Sequence, residues 1–399
     1  MGHIPGSSIG FNQLLYIGLV ILMGTIGGKL ARKIHVPQVT GYLLMGLVIG
    51  PSGLNILTRD GLAGVRLVND IALGLILFAI GGVVHLSKFR LIGRKLLFLT
   101  LAESAGAFLL VSIATLILGG SLPLAILLGV IAVATAPAAT LLVIREYNSR
   151  GPVTDYLLAI VALNNLICII LFSLAFAGVH ISQGMPLLPA LLNPVKEIVG
   201  AVVIGGLVGA GLSYWENHID DLPEMLMAII GGVLVSTGAA ITIGISPLLP
   251  AMIAGAVTAN FSQMHRLVYI ELRQAEQPFY IAFFVLSGAA LHIEYLPQLG
   301  LLGVAYLIFR VVGKYLGIYL AAKPLGAPQQ VRSCVGLALV PQAGVAIGLA
   351  RATVQAYPEF GMVVQQIILA TVIIYESIGP LMTRWAIFHA GEVQKEVKS

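Results

Sequence analysis

Long uninterrupted apolar runs set the tightest limit on how this chain can fold. Runs of 18 to 25 apolar residues alternate with short charged clusters along its 399 residues. A run of about 20 apolar residues spans the hydrocarbon core of a bilayer as an α-helix, whereas a barrel strand alternates in polarity over about ten residues. Because lipid cannot satisfy the hydrogen-bonding groups of the backbone, helices and closed barrels are the only spanning structures. The runs therefore predict an all-α integral membrane protein.

The composition agrees with this prediction and excludes several classes of function. Charged residues make up 10 % of the chain, against about 25 % in a typical soluble domain, which excludes a soluble enzyme. The net charge of +5 comes from basic residues between the apolar runs, which we interpret as orientation signals and not as a nucleic-acid surface. The runs contain no nucleophile–base or metal-ligand constellation. We therefore expect no enzyme activity, no cofactor, no nucleic-acid partner and no metal beyond a transported monovalent cation.

The apolar runs divide into about 13 predicted transmembrane helices joined by mostly short loops. Their approximate bounds are 11–31, 38–56, 66–86, 95–119, 121–145, 152–178, 193–214, 223–241, 243–263, 274–294, 298–322, 329–352 and 361–388. If the N-terminus lies outside, the inside loops and the C-terminal end hold 16 Lys and Arg residues and the outside loops hold 4. Because cytoplasmic loops carry an excess of Lys and Arg, this bias predicts an outside N-terminus and an inside C-terminus.

Two of the predicted spans contain helix-breaking segments near their middle. Span five breaks at Pro137, between Thr135 and Thr140, and span twelve breaks at Pro341 and Gln342. Proline removes a backbone donor and clashes with the preceding turn, and threonine hydroxyls can bind the freed backbone groups. Spans five and twelve are seven apart, so they cross in opposite directions. A simple kink is the alternative at each proline, but broken helices at matching positions of inverted repeats indicate a transporter site.

Ionisable and amide side chains lie at depth in two further spans. Lys314 is at the centre of span eleven, and Arg310 lies one turn before it on the same face. The alternative explanation is that these side chains snorkel to an interface, which suits Arg310 better than Lys314. Asn164 and Asn165 are adjacent in the middle of span six. Ionisable groups at this depth are expensive and are functional candidates. The amides either hydrogen-bond between helices or cooperate with the broken helix of span five.

Two buried acids complete the set of candidate residues. Glu103 lies about two turns inside span four, where it either pairs with a basic or hydroxyl group or takes part in transport. Glu376 is in the middle of span thirteen, just before the helix-breaking Pro380. Structural satisfaction within the protein is the favoured interpretation of Glu376, and a part in transport is the alternative.

Several short segments, in their order and spacing, resemble one family of transporters. They are 36–42 (VPQVTGY) with 50–53 (GPSG), 77–81 (LFAIG), 135–140 (TAPAAT), 283–288 (FFVLSG) and 341–344 (PQAG). Together they are similar to the monovalent cation:proton antiporter-2 family, the bacterial sodium/proton and Kef-type exchangers. The resemblance covers residues from about 11 to 390, which is essentially the whole chain.

The resemblance implies an architecture and a mode of transport. Residues 1–399 would form a single transporter unit in the bacterial inner membrane. Transport-core helices would lie at about 95–178 and 298–388, and scaffold or dimerisation helices at about 11–86 and 193–294. The core would move like an elevator within a homodimer and exchange Na⁺ or K⁺ for H⁺ across the lipid bilayer.

The resemblance also implies a site, from which this chain departs. In the family, a polar pair on span six lies beside the crossing helices, and its second member is an aspartate that binds the cation and releases a proton. On this chain the pair is Asn164 and Asn165, the crossing is at Thr135 and Ala136, and the basic partner of the first position is Lys314. An amide cannot become an anion. Exchange is therefore expected to be impaired, and Lys314 to lack the ion-pair partner that position 164 would supply.

Three explanations of the neutral pair stay open at this point. The chain is an engineered variant of an Asp-Asp or Asn-Asp exchanger, with its carboxylate removed. Alternatively, it is a natural carrier of anions or organic anions that uses Lys314 and Arg310 at the midplane. In the third explanation, it is a natural cation carrier that couples to protons through Glu103 or Lys314.

Overall fold

The computed structural model describes residues 12–82, 86–182, 187–216, 218, 222–261, 277–291 and 293–393. These residues form helices and connecting turns, and none of them lies in a β-strand. The α-helices are α1 (Gln13–Lys33), α2 (Gln38–Ile49), α3 (Arg59–Gly64), α4 (Arg66–Gly81), α5 (Leu86–Ile117), α6 (Leu122–Val133), α7 (Pro137–Glu146), α8 (Pro152–Ser182), α9 (Leu187–Glu216), α10 (Leu222–Thr242), α11 (Leu248–Phe261), α12 (Gln277–Ala289), α13 (Gly300–Ala322), α14 (Gln329–Ala338), α15 (Gly344–Ala356) and α16 (Pro358–His389). A 3₁₀-helix, Ile293–Gln298, precedes α13. The predicted all-α class is confirmed.

The outer surface of the helices is apolar, as a bilayer requires. In the described part of the chain, eight helical stretches are long and apolar enough to cross a membrane, and four shorter apolar helices accompany them. Large apolar side chains point outward, such as Leu207 on α9, which is 71 % exposed, and Met227 on α10, which is 73 % exposed. Such exposure is unfavourable in water and favourable in lipid. The chain is a multi-pass membrane protein.

Each predicted span overlaps one helix or a pair of broken helices. The two predicted breaks are confirmed, since α6 and α7 are separated by residues 134–136 and α14 and α15 by residues 339–343. The predicted span 38–56 is too long, because α2 ends at Ile49 before Gly50 and Pro51. The predicted boundaries at residues 11, 263 and 274 lie outside the described residues. The number of membrane crossings and their orientation stay predictions.

Reciprocal glycine contacts join α2 to α12. A Cβ atom on Gly46 would collide with the carbonyl oxygen of Val285, and one on Gly288 would collide with the carbonyl oxygen of Leu43. In each helix the glycine follows its contacting carbonyl by three residues, so both lie on one face. Only glycine allows the two backbones to approach this closely.

The same pattern joins α4 to α11. A Cβ atom on Gly81 would collide with the carbonyl oxygen of Met252, and one on Gly255 with that of Phe78. The spacing of three residues from carbonyl to glycine is repeated in both helices. The predicted repeat relates spans that are seven apart. If the same offset is extended to the scaffold helices, span two corresponds to span nine and span three to span ten, so the pair α2–α12 corresponds to the pair α11–α4. The matching contacts therefore support an internal repeat.

A third contact of this kind, between α5 and α13, positions the candidate site. Gly106 and Gly313 each lie against the other's carbonyl oxygen, and Gly317 lies against the backbone of Ala102 and Glu103. The helices α5 and α13 are spans four and eleven, which occupy equivalent positions in the two predicted repeats. The close approach of their backbones allows a short side chain on α5 to reach a side chain on α13.

Candidate functional site

The two broken helices cross at the centre of the molecule. Residues 134–136 and 339–343 are non-helical, and the amide of Ala136 donates a hydrogen bond to the carbonyl oxygen of Pro341 at 2.8 Å. Thr135 and Ala136 are both buried. The last carbonyls of α6 and of α14 therefore end here without helical donors and carry the partial negative charge of a helix C-terminus.

Arg310 on α13 binds the carbonyls at the ends of both broken helices. Its Nε donates to Ala132 at 3.0 Å and its Nη2 to Ala134 at 2.6 Å, at the end of α6. Its Nη1 donates to Val340 at 2.7 Å, beyond the end of α14. The guanidinium lies over the ring of Tyr375, 4.4 Å from the ring centroid. Arg310 is fully buried, so it does not snorkel, and its planar fork stabilises the crossing.

Lys314, one turn further along α13, binds the last carbonyl of α6. Its Nζ donates to the carbonyl of Val133 at 2.8 Å and to Oγ1 of Thr135 at 3.0 Å. A third bond, at 2.9 Å, goes to Oε2 of Glu103 on α5. Both charged side chains of this ion pair are 0 % exposed. All three donors of the ammonium are therefore used by the protein itself.

Lys314 has an ion-pair partner, although position 164 does not supply it. The family arrangement pairs this lysine with a residue on span six, whereas here the carboxylate comes from Glu103 on span four. Asn164 is close to the same group, since its Nδ2 donates to Oε1 of Glu103 and lies 3.4 Å from Oγ of Ser104. Glu103 thus receives hydrogen bonds from α8 and α13. Glu103 is thus the partner of a basic group, one of the two roles expected from the sequence, and a part in transport stays a prediction.

Asn165 occupies a different environment from its neighbour. Its Nδ2 donates to the carbonyl of Val161, one turn earlier in α8, at 3.2 Å. Its Oδ1 has no hydrogen-bond partner among the described residues. Asn165 is thus the neighbour of Asn164 on α8, but it takes no part in the hydrogen-bond network of Glu103 and Lys314.

Thr140 and Gln342 strengthen the crossing. The hydroxyl of Thr140 donates to the carbonyl of Ala136 at 3.2 Å, as predicted for a threonine beside a broken turn. Nε2 of Gln342 donates to the carbonyl of Ile131 at 2.9 Å and to the hydroxyl of Tyr306 at 2.9 Å. Pro137 begins α7, where its missing amide hydrogen costs nothing.

A partly open cavity of about 550 Å³ lies beside the crossing. One wall comes from α2, α4 and α12, including Asp70 and Ser287, and the other from the crossing, α15 and α16. Thr135 and Ala136 line it, whereas the described residues around it do not include Asn165, Arg310 or Lys314.

Glu376, for which the sequence interpretation favours a structural role, also lines this cavity. Glu376 is 2 % exposed. Its Oε1 has no hydrogen-bond partner among the described residues, so the carboxyl group is not fully satisfied by them, in contrast to the favoured interpretation. The signal available in the sequence was Pro380, four residues later, because a proline in a helix deprives the residue four positions earlier of its backbone hydrogen bond.

Comparison with known proteins identifies the family. The chain matches the family described as "Sodium/hydrogen exchanger, transmembrane" over residues 18–387. The chain belongs to this family. Members of the sodium/hydrogen exchanger family are transporters and not enzymes, which confirms the sequence prediction.

Two curated relatives illustrate how far the similarity extends. The ammonium/H⁺ antiporter subunit AmhT of Alkalihalophilus pseudofirmus is 24 % identical over 357 residues, which cover 86 % of this chain and 88 % of AmhT. The Na⁺/H⁺ antiporter NhaS5 of Synechocystis is 22 % identical over 93 % of this chain, but the match spans only 54 % of NhaS5.

Solved structures show the same fold. The structure of the sodium proton antiporter MjNhaP1 from Methanocaldococcus jannaschii at pH 8 superposes with a TM-score of 0.70 at 19 % identity, covering 94 % of this chain and 95 % of that protein. A second structure of MjNhaP1, determined by electron microscopy, gives a TM-score of 0.75 at 19 % identity, over 96 % of this chain and 99 % of the other.

Proposed function

We propose that this exchanger-family member is a secondary active antiporter that exchanges a monovalent cation for protons. The observation that carries the proposal is the crossing of two broken helices at a buried centre, with the carbonyl ends of both bound by cations of α13. This arrangement is typical of transporters whose site lies at the interface of two repeats. The names of the relatives, which include ammonium/H⁺ and Na⁺/H⁺ antiporters, support the same chemistry.

The proposed mechanism is elevator-like alternating access. The cavity separates helices of the predicted scaffold (11–86 and 193–294) from the predicted core (95–178 and 298–388), which is where one body would slide past the other. With the N-terminus outside, this cavity opens toward the outside. The resemblance to the antiporter-2 subfamily extends the proposal to a homodimer in the bacterial inner membrane that carries Na⁺ or K⁺.

An anion carrier built on Arg310 and Lys314 is not favoured by the geometry. Both cations are fully buried and their donors bind carbonyl oxygens, Glu103 and Thr135. An anion would have to displace these acceptors and leave the ends of α6 and α14 unsatisfied, which is costly at this depth.

Exchange through the pair on α8 is proposed to be impaired. Competition between a proton and a cation needs a group that can be neutral or anionic, and Asn165 cannot ionise. Any exchange by this chain therefore requires an ionisable group at a position other than 165.

The proposal is tested with purified protein in lipid vesicles that carry an imposed pH gradient. Addition of Na⁺, K⁺, Li⁺ or NH₄⁺ is expected to dissipate the gradient for at least one cation, and empty vesicles provide the control. Asn165→Asp is expected to increase the rate by restoring the α8 carboxylate. If neither protein responds to any cation, while a labelled anion enters and this uptake is lost in Lys314→Ala, the antiport proposal is wrong.

A further inference from the structure

Glu376 is a buried acid of the membrane region whose carboxyl group has an unpaired oxygen atom among the described residues. Its carboxyl group is almost completely buried, its Oε1 has no hydrogen-bond partner among the described residues, and it lines the cavity beside the crossing. An ionisable group at this depth is expensive to maintain. No described residue hydrogen-bonds to Oε1 to offset this cost. We therefore infer that a ligand reaches the Glu376 carboxyl group through the cavity.

The backbone around Glu376 adds a second oxygen. Pro380 lies inside α16 and has no amide hydrogen to donate to the carbonyl of Glu376, four residues earlier. One residue before the proline, Gly379 lies against the backbone of Pro341 in the crossing, where a Cβ atom would collide. Glu376 and Gly379 share one face of α16. This close contact holds the carboxyl group and its freed carbonyl next to the crossing.

The cavity offers the ligand chemistry that a small cation needs. Thr135 and Ser287 contribute side chains with hydroxyl groups to its lining, from the crossing and from α12. Carboxylate, carbonyl and hydroxyl oxygens can replace the water shell of a monovalent cation. A carboxylate differs from Asn165 in one decisive respect, since it can either bind a proton or remain an anion.

The other charged groups near Glu376 do not neutralise it by direct contact. Asp70 on α4 and Arg351 on α15 are the further charged residues among the described cavity lining. Asp70 interacts with a partner of its own. On α13, Arg310 lies over the ring of Tyr375, the residue before Glu376, and its donors are directed to backbone carbonyls.

We propose that Glu376 is the carboxylate at which a proton and a monovalent cation compete in this chain, in place of the residue on α8. When the cation binds from the cavity, the carboxyl group loses its proton to water, and the anion that remains holds the cation. When the cation leaves, the carboxylate takes a proton again. This inference rests on the proposed antiport function and specifies the group that performs it.

The test combines exchange in vesicles with cation binding to the detergent-solubilised protein. Glu376→Gln preserves the shape of the side chain but cannot ionise, so we expect loss of cation-dependent proton movement to the level of empty vesicles, and loss of labelled Na⁺ or Rb⁺ binding. Glu376→Asp keeps an ionisable group and is expected to retain exchange with weaker apparent cation affinity. The matched control is Glu359→Gln, an exposed acid in the first turn of the same helix, which is expected to behave like the unaltered protein.

The outcomes separate this inference from the antiport proposal. Exchange or binding that persists unchanged in Glu376→Gln overturns the role of Glu376 and leaves antiport standing. The role of Glu376 is likewise overturned if the unaltered chain is inactive but Asn165→Asp exchanges cations. If neither the unaltered chain nor Asn165→Asp exchanges or binds any cation, the antiport proposal itself fails. Elution as a single species in size-exclusion chromatography verifies that each variant is folded.

Discussion

Two glutamates in the core are equally buried but lie in opposite environments. Glu103 is 0 % exposed and Glu376 is 2 % exposed. The carboxylate of Glu103 binds Lys314 and Asn164, and Glu103 does not line the cavity described beside the crossing. Glu376 lines that cavity, and its Oε1 has no partner among the described residues.

The difference shows that burial alone does not identify a functional acid in a membrane protein. A buried ion pair contributes to structure, because removing either side chain leaves the charge of the other buried without compensation. An acid whose oxygens face a cavity can exchange its ligand. Substitutions at both acids and at their neighbours test this contrast between a sealed pair and an accessible acid.

Lys314→Met is expected to have the largest effect on stability. Removing the ammonium leaves the carboxylate of Glu103 buried without its counter-ion and frees the carbonyl of Val133. Breaking a buried ion pair costs about 3–5 kcal/mol. Thermal unfolding in detergent measures this loss. Lys323→Met, at the exposed end of the same helix, should leave the melting temperature unchanged, and equal melting of the two variants would contradict a structural role for the pair.

Glu103→Gln is expected to cost about 1.5–3 kcal/mol, the value of hydrogen bonds to charged groups. Adding Asn164→Asp should recover most of the loss, since the side chain of residue 164 already contacts Glu103 and can place a carboxylate near Lys314. The double variant would return the ion pair to the arrangement that the family resemblance implies. Asn165→Asp in the same background is the control, and it should not restore the melting temperature.

Gly313→Ala should destabilise the protein by about 1–3 kcal/mol through overpacking. The added Cβ atom would collide with the carbonyl of Gly106 and push α13 away from α5, which lengthens the distance between Lys314 and Glu103. Gly206→Ala on α9 is the matched control, because no described atom lies near its Cβ position. That variant should melt at the same temperature or slightly higher, as alanine favours helix.

Glu376→Gln should have the smallest effect on stability, within about 0.5 kcal/mol, because it removes no contact made in the described structure. The same exchange of carboxylate for amide is therefore costly at position 103 and nearly neutral at position 376. Melting curves of the two variants, recorded side by side, measure this difference. A loss at position 376 as large as at position 103 would show that Glu376 is a structural acid after all.

The sequence predicted the features that depend on local chemistry. Pro137 and Pro341 break their helices because of their own geometry, and Lys314 stands out because a charge in an apolar run needs an explanation. The partner of Lys314 could not be predicted, since Glu103 lies 211 residues away and only the glycine contacts between α5 and α13 bring them together. The resemblance placed the ion-binding carboxylate on α8, and it did not indicate Glu376 on α16.

The way Arg310 binds the broken helices also has a consequence for how the chain enters the membrane. The carbonyl of Ala134 is bound by a guanidinium 176 residues later in the chain, and that of Val133 by an ammonium 181 residues later. During synthesis, α6 and α7 are therefore complete long before the cations that satisfy them exist. The carbonyl ends of this broken span therefore lack their side-chain donors until α13 has been synthesised. We expect stable insertion of α6 and α7 to depend on the later insertion of α13.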